Sequence, residues 1–186
     1  MTTLEDIYSS LAAHMIAGLM VHDQMASAYY FLNLKGYGKC QVYHYWCENK
    51  NYQCLKKHYM KYHCKLIRDQ QIADPKIIPS NWLNYTKDQV DSNTKRNAVK
   101  TMMSRWIDWE EETKRLYAGA YVDFYNLGEV EDALYIGELL EDVEHELARV
   151  KEYYIKLQDC DFNLSFIIGE QECKEEKYKE KLKGKM

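Results

Sequence analysis

Proline is nearly absent from this 186-residue chain, with two residues, and glycine is sparse, with eight. So few breakers exclude collagen-like, linker-like and turn-rich architectures and leave room for long helices. No stretch supplies the roughly 20 consecutive apolar residues a membrane span needs; the run around Leu11 to Met20 is short and interrupted by His14. Neither sign of charge dominates: 25 Lys and Arg against 29 Asp and Glu leave a formal net charge of −4. That balance argues against a protein held to nucleic acid by a global positive field. The start, Met1-Thr2-Thr3-Leu4-Glu5-Asp6, lacks the basic region and apolar stretch of a secretory signal. Cys40, Cys47, Cys54, Cys64, Cys160 and Cys173 fall within helical patterns. They read as reduced thiols of a cytoplasmic protein, not as a disulfide scaffold.

What is present is helical periodicity rich in aromatics, with 17 Tyr and 4 Trp. Residues 4–35, 39–70, 92–126 and 129–158 predict four helices. The first carries Ile7, Leu11, Ile16, Leu19, Met20, Asp23, Ser27, Tyr30 and Leu34 at roughly three-four spacing. Thr3 is its N-cap, with Asp6 as capping-box partner, and Gly36 and Gly38 are expected to end it in a tight turn. The second places Val42, Trp46, Asn49, Leu55, Tyr59, Tyr62 and Leu66 at packed positions. The third aligns Met103, Trp106, Glu110, Thr113, Tyr117, Ala120 and Phe124 on one face, and Asn126-Leu127-Gly128 stops it. The fourth has the seam Ile136, Leu140, Val143, Leu147, Val150, Tyr154 and Leu157. A core this rich in tyrosine needs internal partners for its hydroxyls.

Turn signals at Asp74-Pro75, Pro79-Ser80-Asn81 and Asn84-Tyr85-Thr86 mark a crossover over 71–91, anchored by Ile77, Ile78, Trp82 and Leu83. A connection of that length is what parallel second and third helices require. The expected fold is all-α: a four-helix bundle over 1–158 and a C-terminal extension over 159–186. The patch Phe162 to Ile168 is expected to dock on the bundle or a neighbouring subunit, which motivates self-association. The Lys-rich end is expected to be solvated; its alternating glutamates dilute the field that nucleic acid would need.

The residues with chemistry to offer cluster between His22 and His63. Asp23 is a carboxylate inside an apolar helical pattern, and Tyr30, seven residues on, shares its face. His58 lies on the second helix, with Cys54 four residues and Cys47 eleven residues before it. Glu110 is the acid on the inward face of the third helix. An acid, a phenol and an imidazole on adjacent helices are parts of a bundle-core metal site, and the same residues serve equally as hydrogen-bonded core. Cys54 and His58 could share zinc, although no second pair completes that site. The fourth helix offers Asp142-Val143-Glu144-His145, an acid-x-x-His by spelling. His145 is two residues from both Val143 and Leu147, so it points ~200° from the seam at ~100° per residue. His14, His44 and His63 receive no role.

The stretch Asp23 to Leu32 resembles the first bundle helix of ferritins, where an acid is followed by Ala-Ser and then by a Tyr two turns on. His58-Tyr59-Met60-Lys61 resembles the end of the family's second-helix motif, carboxylate-x-x-His. The 35 residues between Asp23 and His58 suit two antiparallel helices. The resemblance spans about residues 5–158, with its specific motifs in 22–61. The run Leu147-Ala148-Arg149-Val150-Lys151-Glu152 is similar to the family's fourth helix and makes Glu146 the inward acid, so Glu146 and His145 compete. The resemblance implies iron held by Asp23, His58, Glu110 and a fourth-helix acid, with Fe(II) oxidised by dioxygen or peroxide and Tyr30 as one-electron donor. The implied function is iron storage or a ferroxidase-type oxidoreductase. One departure weakens it: Leu55 stands where the family has a bridging Glu, and leucine binds no iron, which favours a single-metal site. The alternative is a metal-free ferritin-like bundle serving as an assembly or protein-interaction module.

Overall fold

Five helices make up nearly all of the described chain, residues 3–67 and 90–183 of a computed structural model. They are α1 (Leu4–Phe31), α2 (Lys35–His63), α3 (Ser92–Leu127), α4 (Val130–Asp159) and α5 (Leu164–Leu182). The fold is all-α, as expected. None of these helices is long and apolar enough to cross a membrane.

The helix ends follow local chemistry. Thr3 and Asp6 close a reciprocal capping box: Thr3 Oγ1 accepts from the Asp6 amide at 3.2 Å, and Asp6 Oδ2 from the Thr3 amide at 3.0 Å. Asp91 caps α3 by accepting from the Thr94 amide at 2.7 Å. Gly128, at φ 79°, ends α3 in the left-handed conformation that glycine adopts without strain.

The pairing of side chains fixes direction. Tyr8 of α1 packs on Tyr59 of α2, centroids 4.2 Å apart, and on Phe124 of α3 at 5.3 Å. At lower positions of α2 and α3, His44 meets Trp106 at 4.9 Å. Positions therefore rise together along α2 and α3. These two are parallel, and α1 is antiparallel to both. Asp132 reaches His58 and Tyr153 reaches Tyr37, so α4 runs against α2. The end of α2 and the start of α3 lie at opposite ends of the bundle, which is the connectivity anticipated. Most of the expected crossover, including Ile77, Ile78, Trp82 and Leu83, lies outside the described residues.

Two apolar clusters form the core. One holds Tyr8, Leu11, Met15, Leu55, Tyr59, Tyr117, Phe124 and Ile136; the other holds Met25, Tyr29, Leu34, Tyr37, Met102, Met103, Trp106 and Ile167. The inward face expected for α3 is buried throughout, from Met103 to Phe124. Along the helices, Glu48, Glu110 and Glu146 fall between the two clusters.

Three expectations change. The buried stripe of α1 is Ile7, Leu11, Met15, Gly18, Val21, His22, Met25 and Tyr29, not one passing through Asp23 and Tyr30. The expected stripe stepped five residues from Leu11 to Ile16, and at ~100° per residue that step leaves the face by ~140°. Tyr62 is exposed on α2, and α2 ends at His63, so Leu66 lies beyond it and is exposed as well. Gly36 and Gly38 lie inside α2; the turn is made by Asn33 at φ 57°, a residue type that tolerates this region. A Cβ on Gly36 would sit 1.9 Å from the Gln171 carbonyl oxygen of α5, and one on Gly38 would meet the Tyr30 ring at 2.8 Å. These glycines permit close packing. The extension docks on the bundle, one of the two outcomes expected for it, and does so as a helix. Phe162 and Ile167 are buried in the bundle core, Lys39 pairs with Glu175 at 2.7 Å, and Lys174 lies 3.8 Å over the Tyr153 ring. The residues that motivated self-association are thus largely covered by their own chain.

Candidate functional site

A cavity of about 770 Å³ opens between α2, α4 and α5 and reaches Glu110 of α3. Helical spacing assembles its lining. His44 and Glu48, four apart on α2, share one face; Glu146 and Arg149 come from α4; Tyr178 and Lys181 of α5 line it as well. From α1 comes no acid. Gly18 faces Glu48, and a Cβ there would touch its carboxyl carbon at 3.5 Å.

Glu110, Glu146 and His22 have positioning partners. Trp106 Nε1–H donates to Glu110 Oε1 at 2.8 Å. Arg149 donates to Glu146 Oε2, whose other oxygen lies 3.6 Å from His44 Nε2. Buried His22 places Nδ1 2.7 Å from Gln41 Oε1. An amide oxygen only accepts, so that contact puts the His22 proton on Nδ1. The His22 and His44 rings stand 5.5 Å apart, centroid to centroid, and both meet Trp106 edge-on, at 6.0 and 4.9 Å.

Burial sets the charge states. It pushes Glu110 up to about 8, reinforced by the neighbouring Glu48 and Glu146 against the Trp106 hydrogen bond. Burial alone pushes Glu48 up to about 7. Glu146 is raised by burial, opposed by Arg149 and the lysines of α5. His22 is lowered to about 4 by burial, and His44 well below its ordinary value by burial, His22 and Arg149. The result is three carboxyls and two neutral imidazoles in one desolvated region, poised to exchange protons for a cation.

A second group lies at the end of the bundle where α2 stops and α4 begins. Asp132, 1% exposed, accepts from the Tyr8 hydroxyl at 2.6 Å and lies 2.8 Å from His58 Nε2 through Oδ1 and 2.8 Å from His63 Nε2 through Oδ2. His63, Glu129 and Asp132 each bring one ligand atom within 4.8 Å of the others, a cluster capable of coordinating a metal ion. The six cysteines are unbridged.

The structure divides the residues singled out by sequence. Glu110 and Glu146 come together at the central cavity. His145 also lines it, from an exposed position. His58 goes to the bundle end with Asp132. Asp23 is exposed on α1, beside buried His22, and Tyr30 is 43% exposed against Gly38. The expected convergence of Asp23, Tyr30, His58 and Glu110 does not occur, because the phase of α1 turns Asp23 and Tyr30 outward. Leu55 is fully buried apolar core. Sequence reasoning missed His22, His44, Glu48, Glu129, Asp132 and His63. The spacing of His44 to Glu48, and of Asp132 four residues before the seam residue Ile136, carried the signal.

No protein-family model matches the chain, and no curated protein matches it. Fold and site define an all-α helical bundle carrying a degenerate His/Glu/Asp cluster capable of holding a metal ion.

Proposed function

We propose that the chain is a ferritin-like metal-binding protein that takes up a divalent metal of the iron class in its central cavity, through His44, Glu48, Glu110 and Glu146. One observation carries this reading: three carboxyls from three helices line one desolvated cavity, and two of them are held neutral up to about 7 and 8. Isolated buried acids are costly, and a cation offsets that cost. Carboxylate oxygens with an imidazole nitrogen suit iron, manganese or zinc.

The chain's own residues define what the site does. Trp106 fixes the rotamer of Glu110 and Arg149 that of Glu146, so the acids are oriented before binding. Tyr178 and Lys181 of α5 flank the cavity and limit water there. Glu48 and Glu110 give up protons on binding, and uptake therefore strengthens as pH rises. Bound iron would supply one-electron chemistry with dioxygen, which makes ferroxidase activity the limit of this reading. The metal-free interaction module has one observation in its favour: α1 brings Gly18, not an acid, to the centre.

Anaerobic Fe(II) titration by calorimetry, in buffers of different ionisation enthalpy, tests the proposal. The expected result is saturable binding with proton release that is lost in Glu48→Gln/Glu110→Gln. Absence of binding by the folded wild type at pH 7.5 would sink it and leave the interaction-module reading.

A further inference from the structure

We propose that the end of the bundle carries a second, structural site for a zinc-class divalent ion, formed by His63 of α2 with Glu129 and Asp132 at the start of α4, with His58 holding the Asp132 carboxylate in place. It is separate from the central cavity, none of whose lining residues it shares.

The geometry of donors is the basis. The ligand atoms of His63, Glu129 and Asp132 already lie within 4.8 Å of one another. In a tetrahedral zinc site with ligands at about 2.0–2.2 Å, neighbouring donors stand roughly 3.3 Å apart. An inward movement of an ångström or so therefore forms the site. His58 Nε2 is 2.8 Å from Asp132 Oδ1, on the opposite side of the carboxylate from His63. One imidazole and two carboxylates form a nitrogen–oxygen set suited to zinc, with water as the fourth ligand. A carboxylate that is 1% exposed and already engages both imidazoles is a core around which the site closes.

The supporting shell is in place as well. Tyr8 donates to Asp132 Oδ1 at 2.6 Å and packs against the His63 ring, centroids 5.8 Å apart. The His58 ring stacks on Tyr135 at 4.3 Å. Both imidazoles are thus held by aromatic contact from α1, α2 and α4 before a metal arrives, the pre-organisation a metal site needs. In the metal-free chain the His–Asp132 contacts hold the same groups together. On binding, the His63 proton moves from Nε2 to Nδ1 and the metal takes the Nε2 lone pair.

The site's position states its purpose. α2 ends at His63, and Cys64 follows at φ 54°. The next helix among the described residues, α3, starts at Ser92. A metal at this point ties the last turn of α2 to the first turn of α4, where α4 has no side-chain cap of its own. Helix ends fray first, so a bound ion here suppresses fraying at two ends at once.

Co(II) serves as the probe, since its visible absorption reports tetrahedral coordination and Zn(II) displaces it. The test uses the full chain, stripped with chelator, at pH 7.5. The expected result is one equivalent of Co(II) with a tetrahedral spectrum, retained in Glu110→Gln and displaced by one equivalent of Zn(II). Glu129→Gln is the primary variant because Glu129 makes no capping hydrogen bond, and α4 folds without it. It should weaken Co(II) at least about tenfold, the loss that even an outer-shell partner produces. His63→Ala should abolish the spectrum while circular dichroism stays unchanged. A spectrum that survives in both variants, or that disappears in Glu110→Gln alone, would overturn the proposal, as would no tetrahedral signal in the wild type. Failure of iron uptake at the centre leaves this outcome untouched, so the two sites are judged separately.

Discussion

Replacing Glu110 by Gln should make the metal-free protein more stable at neutral pH, the opposite of what removing a buried polar contact normally does. The carboxyl is 5% exposed, and burial with Glu48 and Glu146 raises it from 4.5 to about 8. A folded-state pKa above the unfolded value means that the stability it contributes is fully present below pH 4.5 and is lost as pH rises through about 8. At about 1.4 kcal/mol per unit, roughly 3 kcal/mol has gone by pH 7. Gln is the neutral isostere of the protonated acid, and its carbonyl still accepts from Trp106 Nε1–H. The variant therefore escapes the loss. For a domain of this size the difference corresponds to about 6–12 °C in Tm. The assay is urea unfolding of chelator-treated protein from pH 5 to pH 8, for wild type and Glu110→Gln. The gap should be near zero at pH 5 and widen steadily. A gap independent of pH, or a variant less stable at pH 8, would refute the assignment of Glu110 as an uncompensated buried acid. Excess Mn(II) should nearly close the gap at pH 7: at about 100 times its Kd a ligand stabilises by roughly 2.7 kcal/mol, a gain the variant forfeits.

Other outcomes follow from the same structure. His22 is lowered to about 4 by burial, so its contribution is present above its unfolded value of about 6.5 and is lost as pH falls through about 4; His22→Gln should flatten the acid limb of the same titration. Tyr8→Phe removes the hydroxyl that donates to Asp132 at 2.6 Å and should cost about 1.5–3 kcal/mol in urea unfolding at pH 7, as for hydrogen bonds to charged groups. Gly36→Ala sets a methyl group 1.9 Å from the Gln171 carbonyl oxygen and should cost about 1–3 kcal/mol by overpacking, with earlier proteolytic cleavage in α5. Asp23→Ala, at an exposed site, should change stability by less than about 0.5 kcal/mol and leave divalent-metal affinity as it was.

Much of the fold was legible in the sequence, and for identifiable reasons. α3 keeps three-four spacing without a slip from Met103 to Phe124, and all seven expected inward residues are buried. The seam of α4 is nearly as regular. The capping box at Thr3 and Asp6 was spelled out in four residues. α1 was harder because apolar residues surround it: with Ile16, Leu19 and Met20 all available, the stripe could rotate, and a single five-residue step exchanged Asp23 for His22. α2 is polar and aromatic on every side, so Tyr62 and Leu66 looked no less buried than Tyr59. The central acids were half visible. Glu110 stood out against an apolar face, whereas Glu48 sits among Asn, Lys and Cys, and only its distance from His44 marks it. Asp132 and His63 meet across 69 residues, and nothing local announces such a pairing.

The close approach at Gly36 has a consequence for the whole C-terminal helix. α5 runs alongside α2 with contacts at Gly36–Gln171, Lys39–Glu175 and Tyr43–Tyr178, and its far end brings Tyr178 and Lys181 to the central cavity. A helix held this tightly at one end behaves as a lever. A displacement of an ångström at the glycine is carried two turns along to the residues that neighbour Glu146. The absence of a single methyl group at position 36 therefore sets how closely a positive side chain approaches a buried acid on another helix. Lengthening or shortening the Cys160–Asn163 turn, which feeds α5 onto that glycine, would retune the acid without altering any residue that lines the cavity.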